Sequence, residues 1–181
     1  MFVVEKLSED DVELLPSLSS SFVSSSYLVC EYSPSSYLLS IGLREELGVD
    51  KERVMHRVSD VDVDLIRSCL RFPNVIHFGV KSDGKLVGFI FVFIFGDVGL
   101  IKWFSVDDSV SDLDVYKLLL TRVLNSCRFK GVKRLSFFVS NHDYGFILFL
   151  KSLGFRVSGV SGVRFVGDVV DDFMVELGFT L

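Results

Sequence analysis

Apolar positions in the middle of the chain run almost without a break, from Val75 to Lys81 and again from Leu86 to Phe95. Between them stands Ser82-Asp83-Gly84-Lys85, and an Asp-Gly pair between two such runs favours a tight hairpin turn. The second run, Val87-Gly88-Phe89-Ile90-Phe91-Val92-Phe93-Ile94-Phe95, is apolar on both faces. A strand of that kind belongs inside a sheet with a layer on each side. Beyond it the pattern predicts a strand over Leu100 to Val106, a helix over Asp112 to Cys127, a strand over Lys133 to Val139 and a helix over Asp143 to Leu153. Phe155 to Val160 and Phe173 to Leu177 then read as closing strands joined by a Gly-rich segment.

The first third is less regular. Phe2 to Lys6 alternates weakly and predicts a first strand. Ser8-Glu9-Asp10-Asp11 sets a capping residue ahead of acidic first-turn residues, and Val12, Leu14, Leu15 and Leu18 follow as a short helix. From Ser17 to Ser40 roughly every second residue is Ser, interrupted by Phe22, Val23, Tyr27, Leu28, Val29, Tyr37, Leu38 and Leu39. So many large apolar groups exclude a flexible linker and predict ordered helix-and-loop structure packed on the sheet. Ser59-Asp60 opens another helix, with Val63, Ile66, Cys69 and Leu70 on one face, ending before Pro73. No repeat and no dividing linker is evident, so residues 1–181 are expected to form one domain.

Composition narrows the partners. The chain has 181 residues, is 49% hydrophobic, and carries eighteen Phe and a formal charge of −5. The acidic balance argues against nucleic acid, which needs a basic surface. Arg128, Lys130, Lys133 and Arg134 form a short basic cluster, best read as cations complementing a helix end. The longest apolar run is about half of the ~20 residues a spanning helix needs, so no membrane partner is expected. The N-terminus lacks the features of a secretion signal, and three widely spaced cysteines, Cys30, Cys69 and Cys127, read as free thiols of a cytoplasmic protein. Asp60, Asp62 and Asp64 lack the Gly and Glu of a calcium loop. With His56, His77 and His142 far apart, no metal site is expected.

The order of elements resembles the GNAT superfamily of acetyl-CoA-dependent N-acetyltransferases. The pieces that carry the likeness are the hairpin at Val75 to Phe95, the ending Phe149-Leu150-Lys151-Ser152-Leu153-Gly154-Phe155, and the final strand at Asp172 to Leu177. The resemblance implies an α/β (α+β) fold with a mixed, mostly antiparallel twisted sheet and helices on both faces. Residues 1–74 would supply the first strand and the acceptor-side helices. The meander, the cofactor-side helix–strand–helix and the closing strands would lie in 75–181. It further implies acetyl-CoA as cosubstrate, with Phe104, Ser105 and Val106 offering backbone groups to the thioester and pantetheine arm. The pyrophosphate would rest at the following loop and helix start, over Ser111, Asp112, Leu113, Asp114, Val115, Tyr116 and Lys117, with Asn141 and Lys151 as further contacts.

At that loop the sequence departs from the family. Its pattern Arg/Gln-x-x-Gly-x-Gly/Ala is matched by Ser111, Asp114 and Tyr116, so the residues that let backbone amides approach phosphate are replaced. Asp107, Asp108, Asp112 and Asp114 crowd the same place, and two like charges about 4 Å apart repel by ~4 kcal/mol at an effective dielectric near 20. Ser111 with Asp114 is also nearly a capping box, which explains the segment as a well-started helix. The family's tyrosine acid is matched by Leu150, which cannot transfer a proton. Tyr144 is the nearest phenol.

Ser140-Asn141-His142-Asp143-Tyr144 is the densest polar group in this apolar half. It follows a strand, where α/β proteins bind ligands. His142 or Asp143 would serve as base toward an amine and Tyr144 as acid; the plain alternative is a polar turn capping the next helix. Two functions follow. One is acetyl transfer to a primary amine of a small molecule or peptide, by direct attack without a covalent intermediate. The other is a catalytically degenerate GNAT-fold module that binds a ligand or protein. A second copy of the chain is a candidate partner.

Overall fold

The two-faced apolar run forms the middle strand of a meander, and the rest of its neighbourhood is built to cover it. The computed structural model describes residues 1–21, 26–33, 38–45, 55–57, 63–110, 113–141, 143–166 and 169–181. The elements in chain order are β1 (Phe2–Glu5), α1 (Glu9–Val12), a 3-10 turn (Leu15–Ser17), β2 (Ser19–Ser21), β3 (Ser26–Ser33), β4 (Leu38–Glu45), β5 (Met55–Arg57) and α2 (Val63–Cys69). They continue with β6 (Val75–Ser82), β7 (Lys85–Phe95), β8 (Val98–Val106), α3 (Leu113–Phe129), β9 (Arg134–Ser140), α4 (Tyr144–Ser152), β10 (Arg156–Val166) and β11 (Val169–Thr180). The fold is mixed α+β with mostly antiparallel strands, as the resemblance implies. The chain divides into two units: Met1–Ser21 with Met55–Ser136 and Thr180–Leu181, and Phe22–Val54 with Phe137–Phe179.

In the first unit the strand order is β1-β6-β7-β8, every pair antiparallel. Asp83 and Gly84, both at positive φ, make the β6–β7 turn that the Asp-Gly pair predicts. Alternation along β7 sends Phe89 and Phe91 to a core with Leu7, Val12, Leu15, Leu18, Ile66, Cys69 and Leu86. Ile90 and Val92, equally buried, point the other way. That side is covered by α3, whose Val115, Leu119, Leu120, Val123 and Cys127 recur at helical spacing and are buried. Gly88 has a specific reason to lack a side chain. A Cβ there would come within 3.0 Å of Val106 Cγ2 and 3.1 Å of the Ser105 carbonyl oxygen, so it lets β7 and the end of β8 close up.

The capping box at Ser8 forms as expected. The Asp11 N–H donates to Ser8 Oγ (3.3 Å), and the Ser8 N–H and hydroxyl donate to Asp11 Oδ2 (2.8 and 2.7 Å). Lys81 Nζ adds an ion pair to Asp11 at 2.9 Å. Burial alone would raise the Asp11 pKa, but the Ser8 N–H, Lys81 and the Ser8 hydroxyl outweigh it and hold it below the usual value. Cys69 and Cys127 are buried free thiols, and burial pushes Cys127 to about 11. The side chain of Cys30 lies outside the described residues.

In the second unit β11 pairs with both β10 and β3, and β3 pairs with β4 from Ser26↔Glu45 to Ser33↔Leu38, all antiparallel. This corrects the helix-and-loop reading of Ser17 to Ser40. Described residues 19–21, 26–33 and 38–40 of that span are strand; 22–25 and 34–37 lie outside the described residues. Ser lowers helix propensity, and Tyr27, Val29, Tyr32 and Ile41 are better suited to a pleated surface, so cross-strand pairing prevails. The described part of the Gly-rich segment, residues 161–166 and 169–172, is likewise strand, with register shifts between Val157 and Gly159 and between Ser161 and Arg164.

The ending Leu153-Gly154-Phe155 is a Schellman cap on α4. The Phe155 N–H donates to the Leu150 carbonyl (3.1 Å) and the Gly154 N–H to that of Lys151 (3.0 Å). Gly154 has φ +100, and a Cβ on it would stand 3.1 Å from the Phe179 ring. Gly154→Ala should therefore cost about 1–2 kcal/mol from the left-handed backbone alone, measured by urea denaturation. A second test concerns His77, which stacks on Phe91 at 5.7 Å. Burial lowers its pKa below 6.5, against a hydrogen bond that the ring donates to the Leu70 backbone, which raises it. Folding disfavours the charged imidazole, so the stability held with His77 neutral is complete above 6.5 and lost as pH falls through the lower folded pKa. Between about pH 7 and about pH 5 the melting temperature should fall in the parent chain and fall less in His77→Phe.

Candidate functional site

In the first unit the candidate residues lie on the last turn of β8 and the first turns of α3. The pairing slips between Phe91↔Trp103 and Val92↔Ile101, so Lys102 is an extra, exposed residue, a β-bulge. Past it the strand changes parity. Trp103 turns toward Phe91 and Phe93, with ring centroids 5.6 and 6.0 Å away, while Phe104 turns toward α3 and meets Tyr116 edge-on at 5.1 Å. Ser105 and Val106 are buried, and among the described residues Ser105 Oγ has no hydrogen-bond partner. This bulge was not among the features expected from the sequence, though it leaves a signal there: Leu100-Ile101 and Trp103-Phe104 are paired apolar residues on either side of one lysine, a break in strict alternation.

The Asp107 N–H donates to the Val87 carbonyl (2.8 Å) and carries the ladder one residue past β8. The Asp107 carboxylate then turns back on its own loop, accepting from the Ser109 N–H (2.9 Å) and from the Ser109 hydroxyl. Ser111 and Asp112 lie outside the described residues. Leu113 opens α3 exposed, whereas Val115 and Tyr116 are buried, so only their backbone faces the helix start. Asp114 accepts from Lys117 Nζ at 2.6 Å. The carboxylates expected to crowd this place are thus partly neutralised locally: Asp107 by its own turn and Asp114 by the lysine one turn on. Both are solvent-accessible interactions, screened by salt.

In the second unit Asn141 and Asp143 are buried and Tyr144, the first residue of α4, is half-buried. Asp143 occupies the N-cap position of α4. Its N–H donates to the Ser140 carbonyl (3.0 Å) and its carbonyl accepts from the Ile147 N–H (2.9 Å), but its carboxylate makes no capping bond. The expected polar turn therefore forms through backbone hydrogen bonds. His142 lies outside the described residues, and Lys151 is exposed in the last turn of α4. Leu150 is 0% exposed and sits where the Schellman cap makes its apolar contact with Phe155, so it is a core residue by position as well as by chemistry.

The family described as Acetyltransferase (GNAT) domain matches the chain over residues 53–144. No curated protein matches it. Among solved structures, a protein assigned as a streptothricin acetyltransferase from Bacillus anthracis str. Ames, in complex with acetyl coenzyme A, is 14% identical with a TM-score of 0.77 and covers 100% of both chains. Nourseothricin acetyltransferase is 18% identical, TM-score 0.76, over 99% of this chain and 98% of its own. The ribosomal-protein-S18-alanine N-acetyltransferase from Escherichia coli is 13% identical, TM-score 0.66, over 99% and 94%. At these identities the three show a shared fold.

Because Leu150 is fully enclosed, restoring the family's phenol there has a structural cost. Leu150→Tyr should lower stability by about 1–3 kcal/mol through overpacking, read from the urea midpoint, with no gain in activity.

Proposed function

The chain belongs to the GNAT acetyltransferase family, and on that premise we propose that it moves the acetyl group of acetyl-CoA to a primary amine on a small molecule or peptide. The observation that carries the reading is the junction of β8 and α3. A buried strand end leads through a short turn to the N-terminus of a long helix, with Asp107 and Asp114 each engaged by a neighbouring group. A helix start of this kind favours an anionic diphosphate, and the engaged carboxylates oppose it less than their number suggests. The backbone of Ser111 to Lys117 would hold that group, with Asn141 and Lys151 as further contacts, and Phe104, Ser105 and Val106 would flank the acyl arm.

Acetyl-CoA supplies an activated acyl carbon and a thiolate leaving group. The chain's own part is to orient and to move protons. Backbone groups at Phe104 to Val106 would polarise the acyl oxygen. Asp143, buried at the N-cap position of α4, or its neighbour His142 would take the proton of the attacking amine. Tyr144 is the phenol closest in sequence to Leu150 and would return a proton to sulfur. The competing reading, a non-catalytic binding module, is favoured by the enclosed Leu150 and the glycine-free helix start.

Calorimetric titration with acetyl-CoA separates the two. Micromolar binding supports the transferase, and no heat at millimolar ligand removes it. Asp114→Asn, which deletes one carboxylate and releases Lys117, should tighten acetyl-CoA binding about fivefold in the same titration. With a responsive amine in hand, Asp143→Asn should lower kcat by about a hundredfold with little change in acetyl-CoA affinity if Asp143 is the base.

A further inference from the structure

At the end of the first unit remote from the β8–α3 junction, three loops are tied together by hydrogen bonds. Lys130 Nζ donates to the Pro73 carbonyl (2.7 Å), the Ile94 N–H to the Asn74 carbonyl (2.8 Å), and the Lys133 N–H to the Asp97 carbonyl (2.7 Å). Beside each loop one phenylalanine reaches solvent: Phe72 is 56% exposed, Phe95, the last residue of β7, 64% and Phe129, the last residue of α3, 94%. Single exposed apolar residues are ordinary, but three large rings beside three tethered loops are not. The basic cluster of the sequence belongs to this same end, where Arg128 and Lys130 are exposed beside Phe129.

Charge along α3 is strongly polarised. Asp107, Asp108, Asp112 and Asp114 stand at or before its start, and Arg128, Lys130, Lys133 and Arg134 at or after its finish, where Asp97 offsets Lys133 through an ion pair at 3.7 Å and leaves the other cations in excess. Seventeen residues at about 1.5 Å each hold the two groups about 25 Å apart. A net-acidic chain can therefore still present one cationic end to an anionic partner, and the acidic end would be turned away.

We propose that this end docks on an anionic lipid surface, with Phe72, Phe95 and Phe129 entering the interfacial layer and the cations facing the headgroups. Rings that project singly where separate elements end suit a surface that needs no complementary shape, and flanking Arg and Lys add attraction to anionic lipid. A second copy joined through this end would bring like charges together. No helix among the described residues is long and apolar enough to cross a membrane. The contact proposed is peripheral, and it extends the sequence reading, which expected no membrane partner.

The test is co-sedimentation of the full chain with vesicles of phosphatidylcholine alone or with added phosphatidylserine. Binding should require phosphatidylserine and be released by high salt. Arg128→Glu should weaken it by at least about fivefold, the equivalent of ~1 kcal/mol per cation near an anionic surface. Phe129→Ser should weaken it by a similar factor. Both side chains are exposed, so unchanged melting temperatures keep the comparison clean. Equal binding to neutral vesicles, or full binding by Phe129→Ser, overturns the proposal. So does an absence of binding at low salt, which would assign the same cations and rings to an acidic protein surface instead.

Discussion

Everything in the first unit answers to one constraint: β7 is apolar on both faces and must be covered on both. Phe89 and Phe91 need the layer made by Leu7, Val12, Leu15, Leu18 and α2, and Ile90 and Val92 need the layer made by α3. Burying each such side chain stabilises the fold by about 1.5–3 kcal/mol, more than a typical hydrogen bond contributes net. The placement of α3 is therefore fixed by packing along its length. Its N-terminus arrives beside the end of β8 as a by-product, and the functional reading depends on that arrival.

Electrostatics then decides how useful the arrival is. From sequence, four aspartates near a helix start oppose an anionic ligand. In the structure Asp107 serves its own turn and Asp114 holds Lys117, so part of the negative potential is spent within the protein. The loss of glycine at the helix start is a steric matter and is not repaired this way. Tyr116 and Val115 are committed to the core, leaving backbone amides as the groups that can meet a ligand there.

What could be read from the chain beforehand follows the strength of local signals. The hairpin at Asp83-Gly84, the box at Ser8, the helix ending at Gly154 and the strand–helix alternation after Val98 all depend on neighbours close in sequence, and all were legible. The region from Ser17 to Ser40 was not, because its serines favour no element and its pairing partner lies on another strand. The bulge at Lys102 was missed for a related reason: a slip of register is a property of two strands, and only a break in alternation marks it in one. Leu150, a side chain that cannot transfer a proton, is fully buried. That it also belongs to the α4 cap could be seen only once Phe155 was found bonded to its carbonyl.

The extra residue at Lys102 divides β8 into two phases. Before it, odd-numbered positions of β8 face α3; after it, even-numbered positions do. The two halves of one strand are thus in opposite phase, and the lysine works as a coupling between them. Gly99 and Ile101 are aimed by one phase and Phe104, Ser105 and Val106 by the other, so deleting the extra residue would turn one of the two sets over to the opposite face of the sheet.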